Sequence, residues 1–125
     1  MNPEVKVVKR DVYNGYEYFI TKVYDAWYCA YVIIPKNHPI HGIHYDNIVD
    51  IDVHGGITFS NYHRCVEDQW CIGWDYNHIG DYNEIFGGLY NWLGEPLHKW
   101  TPEEIEIDCQ NVIDQLNKKY PNAAI

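Results

Sequence analysis

Apolar and polar positions change rhythm several times along this chain, and each change marks an element. Val5-Lys-Val-Val8 and Tyr16-Glu-Tyr-Phe-Ile20 crowd β-branched and aromatic residues into two short runs. Between them lies Tyr13-Asn-Gly-Tyr16, whose Asn14-Gly15 dipeptide favours a two-residue hairpin turn. Ala26-Trp-Tyr-Cys-Ala-Tyr-Val-Ile-Ile34 is apolar almost without interruption up to Pro35, which predicts a central rather than an edge strand. A loop dense in proline, glycine and polar groups follows, from Pro35 to Asn47. Val49, Ile51 and Val53 then alternate with Asp50 and Asp52, the pattern of a strand with one buried and one acidic face, and Gly55-Gly56 break it. Ile57–Ser60 and Gln69–Trp74 read as two further short strands.

The last third of the chain carries a helical rhythm. Thr101-Pro-Glu-Glu104 combines an N-cap threonine, proline at the first helical position and glutamate three residues on, a reciprocal capping box. Ile105, Cys109, Val112, Ile113, Leu116 and Tyr120 recur at helical spacing, Lys118 and Lys119 complement the helix dipole, and Pro121 ends the element. The expectation is an α+β fold: a small, mostly antiparallel sheet packed against one C-terminal amphipathic helix. Glycines 80, 87, 88 and 94 and asparagines 77, 83 and 91 predict a long metal-binding loop region after Asp75, anchored by Ile85, Phe86, Leu89, Tyr90 and Trp92.

Length and composition add bounds. At 125 residues and 46% hydrophobic, residues 1–125 are the size of one domain that can bury a core without disulfides. The opening residues lack a signal-peptide pattern and no run is long enough to span a membrane, so a soluble, unprocessed, cytoplasmic protein is expected. Cys29, Cys65, Cys71 and Cys109 then read as reduced thiols. The net charge of −9 is unevenly spread: between Asn37 and His98, Arg64 is the sole Lys or Arg against nine acids, and all seven histidines lie in that span. Such a surface repels nucleic-acid phosphates and attracts cations or a basic partner protein. Five tryptophans and twelve tyrosines are more than a core of this size hides, which predicts exposed aromatics of the kind protein-binding patches use.

The candidate chemistry gathers at glycine-flanked positions. Asp75-x-x-His78-x-x-Asp81 sets three donors at steps of three, and His54 enters from a neighbouring strand end. Imidazole and carboxylate together suit a divalent metal, zinc first. The competing reading is that Asp75 and Asp81 cap turns and His78 is a buried, hydrogen-bonded ring. His38, His41 and His44 recur at i, i+3, i+6 in a proline-broken loop, as ligands or as packed and solvent-facing rings. A second metal set would use His63, Cys65, Cys71 and His78, without the usual knuckle spacing. A hydrolytic reading takes His54, Asp75 and His78 as zinc ligands with Asp81 or Glu84 as base, and a nucleophilic one pairs Cys65 with His63.

Three blocks then resemble known sequences: Ala30-Tyr-Val-Ile-Ile-Pro-Lys-Asn-His-Pro-Ile-His-Gly42, Val53-His-Gly-Gly-Ile-Thr-Phe-Ser60 and Gly73-Trp-Asp-Tyr-Asn-His-Ile-Gly-Asp81. They are similar to a group of small phage- and prophage-encoded proteins, mostly without established activity, over about residues 26 to 82. His54, Asp75, His78 and Asp81 fall on that group's motif positions, whereas His44 and His63 belong to no block. The resemblance implies an accessory protein acting in the cytoplasm of an infected bacterial host. By analogy it implies an anti-CRISPR inhibitor; joined to the donor and charge readings above, the expectation is a metal-binding, acidic protein that occupies a basic surface of a CRISPR effector nuclease and keeps DNA out, with no catalytic residues and no direct nucleic-acid contact.

Overall fold

The computed structural model describes residues 4–78, 81–82 and 97–124. Five strands, β1 (Val5–Tyr13), β2 (Tyr16–Val23), β3 (Trp27–Ile33), β4 (Phe59–His63) and β5 (Gln69–Asp75), form one antiparallel sheet in the order β1-β2-β3-β5-β4, and α1 (Pro102–Lys119) packs on it. The expected α+β architecture is present. Asn14 and Gly15, at φ 45° and 88°, make the tight turn that pairs Tyr13 with Tyr16. The uninterrupted apolar run becomes β3, central because β2 and β5 both pair with it.

Alternation sorts the sheet into two faces. Tyr16, Tyr18, Ile20, Ala30, Val32, Ile72 and Trp74 face α1 and bury against Ile105, Cys109, Val112, Ile113 and Leu116. Tyrosine can occupy such a core only if its hydroxyl finds a partner, and the helix supplies acids for this. Tyr18 donates to Glu106, Tyr76 to Asp108 at 2.6 Å, and Trp74 Nε1 to the Tyr76 hydroxyl at 2.9 Å. Part of the chain's acidity is thus internal wiring. The opposite face carries Phe19, Tyr31, Ile33 and Cys71 under Val66 of a short 3-10 turn, Arg64–Val66. α1 begins at the predicted capping box, with both reciprocal bonds between Thr101 and Glu104 formed.

One predicted strand does not form. Residues 49–53 pair with no strand, because Asp50 adopts a left-handed φ of 63° that interrupts extension and leaves Val49 58% exposed. Their backbone partners come instead from α1. Gln115 Nε2 donates to the Asp52 carbonyl and its Oε1 accepts from the Asp52 amide, both at 2.7 Å, while Lys119 Nζ reaches the Val49 carbonyl at 2.7 Å. β4 also starts at Phe59, two residues later than expected. The expected loop anchors Ile85, Phe86, Leu89, Tyr90 and Trp92, with Glu84, lie outside the described residues. No described helix is long and apolar enough to cross a membrane.

Candidate metal centre

β5 delivers Asp75 at its C-terminal end, and the chain then turns so that the Asp81 amide donates to the His78 carbonyl at 2.9 Å. On the other side, Gly55 and Gly56 take left-handed φ values of 71° and 79°, and the Gly56 amide closes a turn onto Val53 at 2.9 Å, which aims His54 inward. Gly55 is required twice over. A Cβ there would stand 2.4 Å from His78 Cε1, so the imidazole of His78 lies directly on bare glycine backbone. That close approach gives the His-Gly-Gly block a physical reason.

His54, His78 and Asp81 each present a ligand atom within 4.8 Å of the others. Asp81 is 3% exposed and sits at the middle. Its Oδ1 accepts from Trp100 Nε1 at 2.8 Å; its Oδ2 accepts from the His78 amide at 3.0 Å and lies 2.9 Å from His54 Nε2. Burial pushes the Asp81 carboxyl up, but the bonds from His54, the His78 amide and Trp100 outweigh it and leave the group below the ordinary aspartate value. Trp100, occupying Oδ1, leaves Asp81 to offer only Oδ2 toward the two imidazoles.

The second imidazole is less satisfied. His78 Nδ1 lies 3.4 Å from Asp81 Oδ2, shielded from solvent, and makes no hydrogen bond among the described residues. Such an orphaned atom facing a carboxylate oxygen calls for a proton or a cation between them. A tetrahedral zinc with bonds of roughly 2.0–2.1 Å separates its ligands by about 3.3 Å; Asp81 Oδ2 lies 3.4 Å from His78 Nδ1 and 2.9 Å from His54 Nε2, and all three donors fall within 4.8 Å. Three protein donors of this kind leave a fourth position for water.

Asp75 does not join the three. Its Oδ1 lies 3.0 Å from His78 Nε2, the far nitrogen of the ring, and is likewise shielded without a hydrogen bond among the described residues. A carboxylate behind a ligating histidine orients the ring and sets which nitrogen faces the metal. The turn-capping reading of Asp81 is also realised, through the bond from the His78 amide, so the capping residue is also one of the three that could hold an ion.

Aromatic rings enclose the group. His54 stacks on Tyr76 with centroids 4.9 Å apart and planes 4° apart, and it tilts against Trp100 at 4.9 Å. Neither ring belongs to the histidine and aspartate pattern; Trp100 comes from just before α1, 19 positions after Asp81, and only the fold connects them. His98, 4.2 Å from the Trp100 ring, pairs with Glu104 at 2.8 Å and stays outside the group.

The remaining candidates have other partners. His38 is 4% exposed; its Nδ1 accepts from the Ile40 amide at 3.2 Å, and its Nε2 meets the Tyr16 hydroxyl at 2.7 Å. It is a packed ring. His41 tilts against Trp70, and His44 caps the 3-10 turn Tyr45–Asn47. His63 Nδ1 accepts from the Cys65 amide at 3.1 Å, so that nitrogen is not offered to the Cys65 thiol. Burial raises the Cys65 and Cys71 thiols, Cys71 to about 12, which disfavours the thiolate that nucleophilic or metal chemistry needs. Compared with family models, curated proteins and solved structures, the chain matches none.

Proposed function

We propose that this chain is a divalent-metal-binding protein of the phage accessory kind, with zinc held by His54, His78 and Asp81 and Asp75 acting from behind His78. The observation that carries the metal reading is the shielded His78 Nδ1, without a hydrogen bond among the described residues and set 3.4 Å from Asp81 Oδ2. Bound metal would tie the turn at residues 54–56 to the segment after β5, a structural role. Around it, the acidic span from Asn37 to His98 supports docking on a basic protein surface, and the three sequence blocks support the anti-CRISPR setting in an infected cell's cytoplasm.

Protein purified without a metal-affinity tag should contain about one zinc per chain, and chelation should lower its melting temperature. His78→Ala should abolish uptake while leaving the sheet and helix folded. Full retention of zinc in the His54→Ala, His78→Ala double variant would end the proposal for this site. A zinc hydrolase is the second reading, favoured by the three-donor set with its fourth position open to water. Metal-dependent turnover of an ester or phosphodiester that disappears on removal of zinc would establish it over the structural role.

A further inference from the structure

The sheet face turned away from α1 holds a groove of ≈ 450 Å³, lined by Val5, Val23, Tyr31, Phe59, His63 and Arg64 among others and by none of His54, Asp75, His78 or Asp81. That volume falls in the range of roughly 300–1,000 Å³ typical of small-molecule sites. Its walls are chemically lopsided. Val5 and Val23 face each other as a cross-strand pair at one side. Tyr31 and Phe59 meet edge to face with centroids 5.2 Å apart in the middle.

The polar groups come from the β4 end. Because His63 Nδ1 accepts the Cys65 amide, the ring's proton belongs on Nε2, which makes that nitrogen a donor. Arg64, next along the chain, is exposed and has no carboxylate partner among the described residues, although the chain carries 18 acids. Arg10, by contrast, is held between Glu17 and Glu67. A guanidinium without a carboxylate partner among the described residues and an imidazole N–H at one side of an apolar groove complement one anionic oxygen pair attached to an apolar body.

We infer that this groove binds a small amphipathic carboxylate, with its acidic head at Arg64 and His63 and its apolar body along Phe59, Tyr31, Val23 and Val5. The site is independent of the metal reading, since none of its residues belongs to the metal group.

Octanoate serves as the probe, with 1-octanol and acetate as its two halves, titrated into ¹⁵N-labelled full-length protein with and without chelator. Octanoate should shift the amides of Val23, Phe59, His63 and Arg64, and should bind more tightly than either half. Arg64→Gln should weaken octanoate by about fivefold, the size of one exposed charge pair, and leave octanol unchanged. Val23→Glu, at the apolar end, should weaken both. The inference is overturned if octanoate shifts none of these amides in folded protein, if octanol matches octanoate, or if Arg64→Gln has no effect. Because the titration is repeated in chelator, failure here leaves the zinc result untouched, and loss of zinc leaves this result readable.

Discussion

At the scale of single residues, the proposed metal group depends on a glycine as much as on its donors. Gly55 holds φ 71° beneath the His78 ring, with 2.4 Å between an added Cβ and Cε1. Gly55→Ala therefore costs about 1–2 kcal/mol in backbone strain alone, and it must also push His78 off the site. The expected outcome is a lower melting temperature together with loss of zinc uptake, whereas Gly56→Ala, with open space around its Cβ, should show the backbone strain while zinc uptake persists. Equal zinc affinity in Gly55→Ala and the parent would show that His78 is not a ligand. The donor types and their glycine flanks were legible in the sequence. The role of Asp75 was not: spacing by threes places it beside Asp81 on paper, yet β5 carries it to the far nitrogen of His78. Trp100 was invisible for a different reason, since its bond to Asp81 exists only once α1 has docked.

At the scale of elements, strands flanked by clear turns and the capped helix were readable because local propensity and burial agree there. Residues 49–53 show the limit. Alternation of valine, isoleucine and aspartate encodes which side is buried, but not whether the backbone will find a strand to pair with, and here Gln115 of α1 takes the place of that strand. Gln115→Ala removes two bonds to Asp52. Both groups are near solvent and can bond to water, so the loss should be about 1 kcal/mol in denaturant unfolding, with faster amide exchange at Asp52. The loop from Pro35 to Asn47 gives a pH prediction. Desolvation, with a smaller push from His41, holds His38 below its ordinary value. The unfolded chain therefore binds a proton that the folded one refuses, so this stability is complete above about pH 6.5 and is lost as pH falls through that value toward the folded one. The groups that meet His38 are the Tyr16 hydroxyl, the Tyr120 ring, the Ile40 amide and His41, with no carboxylate among them to offset the charge. His38→Gln should flatten the acid limb of a melting-temperature profile, and an unchanged limb would show that this ring does not set it.

At the scale of the whole molecule, the acids divide into two populations with different work. Glu106, Asp108 and Asp114 accept from Tyr18, Tyr76 and Tyr13 and belong to the fold. Asp50, Asp52, Glu67 and Asp68 face solvent, and three of them, Asp50, Glu67 and Asp68, hold left-handed φ values of 63°, 55° and 59°. The backbone constraint decides how the proposed docking surface must be tested. Lysine at those positions would add strain to the change of charge, whereas Asp→Asn and Glu→Gln alter charge with little change of shape, and asparagine tolerates the left-handed region. The quadruple variant Asp50→Asn, Asp52→Asn, Glu67→Gln, Asp68→Asn should unfold within about 1 kcal/mol of the parent, since exposed pairs such as Asp50–Lys119 and Glu67–Arg10 contribute little. Its association with a CRISPR effector nuclease should nevertheless slow by about tenfold at low salt, and the dependence of that rate on ionic strength should shrink, because steering acts through the summed field. The measurement is a stopped-flow or surface-binding rate over a salt series, read beside a DNA-loading assay on the same effector. An unchanged rate with an unchanged salt slope would move the partner surface elsewhere, and absence of any association by the parent protein would remove the inhibitor proposal while leaving the metal centre to be judged on its own zinc.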